Sequence, residues 1–170
     1  MDLASFIRDV PDFPKPGIVF KDITTLLVDA AALNESINQL VEPFVDQDVD
    51  VVVGIESRGF IFGTPAARQL QAGFVPIRKP GKLPFDRLSA SYELEYGTDE
   101  VEIHRDAISP GSRVLLVDDL LATGGTMEAA VDLINQMEGT IMGISFLIEL
   151  AFLGGREKLN GRAVYSIVKY

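Results

Sequence analysis

Val114-Leu115-Leu116-Val117-Asp118-Asp119-Leu120-Leu121-Ala122-Thr123-Gly124-Gly125-Thr126 passes from an apolar run through two acids to a Gly/Thr loop. Four consecutive apolar residues, two of them Val, suit a strand buried on both faces, and Met127 to Met137 then carries apolar residues at helical spacing. A tight loop therefore joins strand to helix. At such a junction the first helical N–H groups lack intrahelical acceptors and carry the positive end of the helix dipole, which stabilises a phosphate. Gly124 and Gly125 let the backbone approach closely, while Thr123 and Thr126 add hydroxyl donors. Asp118 and Asp119 stand at the carboxyl end of the strand, where α/β sheets bind ligands. Carboxylates repel phosphate, so their partners are ribose hydroxyls or a hard divalent cation. No Gly-Lys-Ser/Thr follows at Walker spacing, which excludes a P-loop.

Working outward, Val49 to Ile55 is a second Val-rich strand, followed by Glu56-Ser57-Arg58-Gly59-Phe60 and a helical pattern from Ile61 to Gln71. Phe74 to Ile77, Ile141 to Leu150 and Val164 to Val168 read as further strands. Repeated strand-loop-helix units imply an α/β fold, a mainly parallel central sheet flanked by helices. Asp29 caps a helix expected to reach about Asp46, with Pro43 kinking it or ending it early. Gly139 is placed to end the helix after the cradle. Leu3, Phe6, Ile7 and Val10 are spaced for a short amphipathic helix over Met1 to Val10, and the prolines of Pro11 to Gly17 then force a turn. Ser89 to Tyr96 alternates, Gly97-Thr98 turns, and Val101 and Ile103 alternate again, which makes an antiparallel hairpin.

The chain has 170 residues, 47% apolar and 24% charged, as expected of one globular domain. Its formal charge of −10 argues against nucleic-acid binding, which needs a basic face. Four of the 15 basic residues nevertheless fall between Arg78 and Arg87, a local attraction for an anion in a Pro- and Gly-containing loop. There is no Cys and a single His, so thiol chemistry and a Ser-His-Asp or zinc centre lack their parts. No apolar stretch is long enough to span a membrane and no secretory signal is visible, so a cytoplasmic location is expected.

The thirteen-residue word that opens this section resembles the phosphoribosyl-diphosphate (PRPP) signature of the type I phosphoribosyltransferases, in the wording of members that use adenine. Gly54-Ile55-Glu56-Ser57-Arg58-Gly59-Phe60 resembles their diphosphate loop, Arg78-Lys79-Pro80-Gly81-Lys82-Leu83-Pro84 their flexible loop, and Pro11 to Asp22 their amino-terminal hood. The resemblance runs from about Pro11 to the carboxyl terminus. It implies one phosphoribosyltransferase domain over residues 1–170, with a hood at 1–30 and a flexible hairpin loop at 78–104.

The implied reaction joins adenine to PRPP, giving AMP and diphosphate, with Mg²⁺ as cofactor and a homodimer as the assembly. Ala122, Thr123, Gly124, Gly125 and Thr126 would hold the 5-phosphate, and Asp118 and Asp119 the ribose hydroxyls. Ser57, Arg58, Arg78, Lys79 and Lys82 would hold diphosphate. Val19, Phe20, Lys21 and Leu120 would surround adenine, with Lys21 standing where the family usually has Arg, a point charge in place of a planar fork. Glu95 beside Tyr96 would handle the proton and, with Arg58, make up the catalytic set. Magnesium would be held mainly through PRPP and water, near Asp118 and Asp119. Ala122 stands where hypoxanthine- and guanine-using relatives carry Asp, which points to adenine. Transfer to xanthine or orotate, or a PRPP-sensing regulator without turnover, are the alternatives.

Overall fold

The computed structural model describes residues 1–94 and 97–170. Five parallel strands form the central sheet: β3 (Val51–Ile55), β4 (Gly73–Ile77), β7 (Arg113–Leu121), β8 (Thr140–Glu149) and β9 (Val164–Lys169), in the order β4-β3-β7-β8-β9. The expected mainly parallel sheet is thus present, with β7 at its centre. Its apolar run is continuous because both faces are covered. Val114 and Leu116 enter one core with Met127, Ala130, Val131 and Ile134 of helix α4 (Gly125–Gln136). Leu115 and Val117 point the other way, into a core shared with helices α2 (Ala30–Val41) and α3 (Gly59–Leu70). The strand outruns the Val114–Val117 segment, because β8 keeps pairing with it as far as Leu121, opposite Glu149.

Beyond this sheet lie two small antiparallel ribbons. One is the expected hairpin, β5 (Arg87–Glu93) against β6 (Thr98–His104). The other corrects the amino-terminal expectation. Only Leu3–Phe6 is helical, as one 3₁₀ turn, and Arg8–Pro11 (β1) instead pairs with Val19–Asp22 (β2). Register explains the preference. Arg8 lies opposite Asp22 and Asp9 opposite Lys21, and both pairs form ion pairs, at 2.5 and 2.7 Å. The turn from Pro11 to Gly17 brings these charges together, and cross-strand pairing outweighs helical spacing.

Asp29 caps as expected, accepting from the Ala32 amide at 2.9 Å. A short helix α1 (Thr24–Val28) precedes it, α2 stops at Val41, and Pro43 lies in a 3₁₀ turn at Glu42–Phe44. After α4 the left-handed residue is Glu138, with φ 58°, and not Gly139. Gly139 answers to space: a Cβ there would lie 2.7 Å from Ile134 Cγ2.

Because β7 anchors both cores, truncating its fully buried Leu116 to Ala should lower the unfolding free energy by roughly 2 to 5 kcal/mol, read as a fall in the urea midpoint at unchanged slope. An unchanged midpoint would contradict the two-faced burial of this strand.

Candidate active site

The loop leaving β7 enters α4 through Gly124, whose φ of 83° suits a residue without a side chain. No side chain caps the helix. Among the described residues, none of the backbone amides from Ala122 to Met127 donates to another group of the chain. All of these residues but Gly125 line a cavity of about 80 Å³, together with Asp118, Leu120 and Leu121. This is a compact row of donors at the positive end of a helix, suited to a phosphate-sized anion.

A second cavity, of about 240 Å³, adjoins it through the shared Asp118, Leu120, Ala122 and Thr126. Its far wall is Ile55, Glu56, Ser57, Arg58, Lys79 and Tyr92. Arg58 Nε lies 2.9 Å from Asp119 Oδ2, and its guanidinium stands 5.5 Å from the Phe20 ring centre. Phe20 thus faces the site. Strand alternation turns Val19 and Lys21 to the opposite side of β2, where they line a separate cavity of about 480 Å³ with Leu150, Phe152 and Tyr170. Lys21 Nζ is engaged there by Asp9 and the Tyr170 ring, so Lys21 and Val19 can offer a base beside Phe20 only their backbone.

The basic loop is tied down by carboxylates. Glu56 accepts from Arg78 Nε at 3.2 Å, from the Lys79 amide at 3.0 Å and from Lys82 Nζ. Lys79 Nζ donates to Tyr92 Oη at 2.8 Å and pairs with Asp99. Buried Glu102 accepts from Gly81 N at 3.1 Å and Arg87 Nε at 2.9 Å. The segment from Arg78 to Arg87 is therefore pinned to β6 and to the β3–α3 junction. Three of the diphosphate candidates, Arg78, Lys79 and Lys82, meet at Glu56. Glu95 and Tyr96 lie outside the described residues.

Comparison with known proteins agrees with this geometry. The phosphoribosyl transferase domain family matches residues 21–162. An adenine phosphoribosyltransferase of Halothermothrix orenii is 61% identical over 99% of both chains. This chain belongs to the adenine phosphoribosyltransferase family. Among solved structures, the enzyme of Thermoanaerobacter pseudethanolicus superposes with a TM-score of 0.96 at 52% identity, covering 99% of this chain and 98% of that one. The Saccharomyces cerevisiae adenine phosphoribosyltransferase, solved with adenine and an imino-altritol bisphosphate, gives 0.92 at 42% identity over 98% and 96%.

In this phosphoribosyltransferase, sequence reading overlooked Glu56 as a counter-ion and Tyr92 and Asp99 as partners of Lys79. Glu56 sits inside a junction already singled out by Arg58. For Tyr92 and Asp99 the only signal is pairing register, which sets them directly opposite each other.

Burial pushes the Asp118 carboxyl well above the ordinary carboxylate range, and the neighbouring Asp119 charge adds to it. Burial raises Asp119 as well, against the pull of Arg58. Burial alone would also raise Glu56, but its bonds from Lys82, Lys79 and Arg78 prevail and hold it low. For a carboxyl raised on folding, the native chain binds the extra proton, so the pair's contribution to stability is full below the unfolded value and is lost as pH rises through the folded one. Replacing Arg58 by Ala removes the charge that favours ionisation of both, so carboxyl ¹³C titration should move the Asp118/Asp119 steps to still higher pH. Movement to lower pH would show that Arg58 does not act on the pair.

Proposed function

We propose that this enzyme transfers the phosphoribosyl group of PRPP to adenine, giving AMP and diphosphate. The observation that carries the proposal is the row of unpaired amides from Ala122 to Met127 beside the Asp118/Asp119 pair, facing Arg58 across two adjoining cavities. The names of the relatives, and the adenine in the yeast complex, fit the same reading. The 5-phosphate rests on the amides and the Thr123 and Thr126 hydroxyls. Ionised Asp118 and Asp119 accept from the vicinal ribose hydroxyls.

Breaking the anomeric C–O bond gives the ribose oxocarbenium character and sends the electron pair to the departing diphosphate, while adenine N9 forms the new C–N bond. Arg58, Arg78, Lys79 and Lys82 receive the leaving charge, and the Ser57 amide adds a donor. They exchange the carboxylates of Asp119, Glu56 and Asp99 for diphosphate oxygens. Phe20 stacks on the base, the backbone of Val19 and Lys21 reads its edge, and Leu120 supplies an apolar wall. Glu95, with Tyr96 beside it, takes the N9 proton. Ala122 lines both cavities and bears no ionisable group, so it offers nothing to a protonated N7 of a 6-oxopurine.

Magnesium fits this site as a substrate-borne ion. Among the described residues no cluster of three or more carboxylates or imidazoles forms a protein cage, whereas Mg²⁺ commonly takes one or two carboxylates together with phosphate oxygens. Asp118 and Asp119 are the residues that would hold it, directly or through water. When bound it neutralises charge on the diphosphate. The cytoplasmic location and the homodimer belong to the same proposal. No helix among the described residues is long and apolar enough to cross a membrane, and light scattering behind size exclusion tests the dimer.

The deciding assay is PRPP- and Mg²⁺-dependent diphosphate release with adenine, hypoxanthine, guanine, xanthine and orotate in parallel. Release with adenine alone is expected; release with a 6-oxopurine and none with adenine would overturn the base assignment, and PRPP binding without turnover would favour a sensor. Arg58→Ala should lower kcat/KM by roughly 10² to 10³-fold, the scale of losing one preorganised charge-stabilising donor, and a loss under about threefold would remove Arg58 from the diphosphate site.

A further inference from the structure

The cradle makes few hydrogen bonds to the rest of the chain, so something else must fix its path. That support is the turn after β8. Gly155 is buried, and a Cβ on it would lie 2.2 Å from the Ala122 carbonyl oxygen and 2.9 Å from Gly124 N. A Cβ on Gly124 would in turn lie 2.4 Å from the Gly155 carbonyl oxygen. Two backbones touch here with no side chain between them.

The next residue holds Gly155 in place. Arg156 bonds both oxygens of Glu149, Nε to Oε1 at 2.9 Å and Nη2 to Oε2 at 2.5 Å. Its Nη1 donates to the Val164 carbonyl at 2.8 Å and Nη2 also reaches Ser166 Oγ at 3.2 Å. Glu149 is the last residue of β8, in register with Leu121 at the end of β7 and Lys169 of β9. The clamp therefore ties the turn to the strand ends from which the cradle springs. Leu159, fully buried, anchors the far end of the turn. A planar fork suits these divergent acceptors; an ammonium does not, and Lys169, 3.8 Å from Glu149, cannot replace it.

We propose that Arg156, locked on Glu149, is a positioning residue for the 5-phosphate: through Gly155 it sets the backbone of Ala122 to Gly124 and so aims the cradle amides. The inference rests on the assignment of the 5-phosphate to that cradle. A pair that merely stabilised the sheet edge would change melting temperature without changing how the enzyme distinguishes a phosphorylated from an unphosphorylated ligand.

The test compares dissociation constants of AMP and adenosine by calorimetry on the wild type, Arg156→Gln, Arg156→Lys and Gly155→Ala. The preference of Arg156→Gln for AMP over adenosine should shrink about tenfold or more, the scale expected of displaced binding groups, while its affinity for adenosine stays within about twofold. Arg156→Lys should recover part of the preference. Gly155→Ala, which leaves the ion pair intact, should lose it as well, and it carries the test should Arg156→Gln fail to fold. A preference within about twofold of wild type in Arg156→Gln and Gly155→Ala would overturn the proposal. A wild type that does not prefer AMP at all would instead overturn the 5-phosphate assignment beneath it.

Discussion

Unpaired amides at the end of a buried parallel strand are the constraint on which this site depends. Backbone donors left without acceptors are costly where water is excluded, and a helix entered through Gly124 with no side-chain cap leaves several of them beside one small cavity. An anion would answer that demand, and the fold holds the loop in place to receive one. Two apolar faces on β7 hold the strand rigid between two cores, so the loop that follows starts from a fixed point. The Glu149–Arg156 clamp holds its other side.

Charge is handled locally in a chain of net −10. Each cation near the second cavity already has a carboxylate: Asp119 for Arg58, Glu56 for Arg78 and Lys82, Asp99 for Lys79. On the proposed function, diphosphate would have to compete with these, which would make its binding an exchange of anions rather than a simple attraction. The same exchange would release Asp119 from Arg58 to accept from a sugar hydroxyl. Burial that raises Asp118 and Asp119 opposes the ionised form that a hydroxyl needs, and Arg58 offsets part of that cost.

Much of this was legible in the sequence where one element decides its own structure. The apolar run of β7, the Val-rich β3 and the capping Asp29 announce themselves locally, and the strand ends then locate the Asp pair and Arg58. What was not legible depends on pairing between distant segments. Arg8 to Pro11 became a strand because Asp22 and Lys21 lie opposite its charges. Glu56 became a hub because the loop from Arg78 folds over it, and Gly155 reads as an ordinary turn glycine until the cradle is seen against it. Facing is legible only in the paired ribbon, where Phe20 looks toward Arg58 while Lys21 looks out toward Tyr170.

The claim that the amides from Ala122 to Met127 receive the 5-phosphate is tested most directly by adding ribose 5-phosphate, without base or diphosphate, to ¹⁵N-labelled protein. Saturable shifts are expected in those amides and in Asp118 and Asp119, with little change at Arg78, Lys79 and Lys82. Saturable shifts confined to the basic loop, with the cradle amides unmoved, would contradict it.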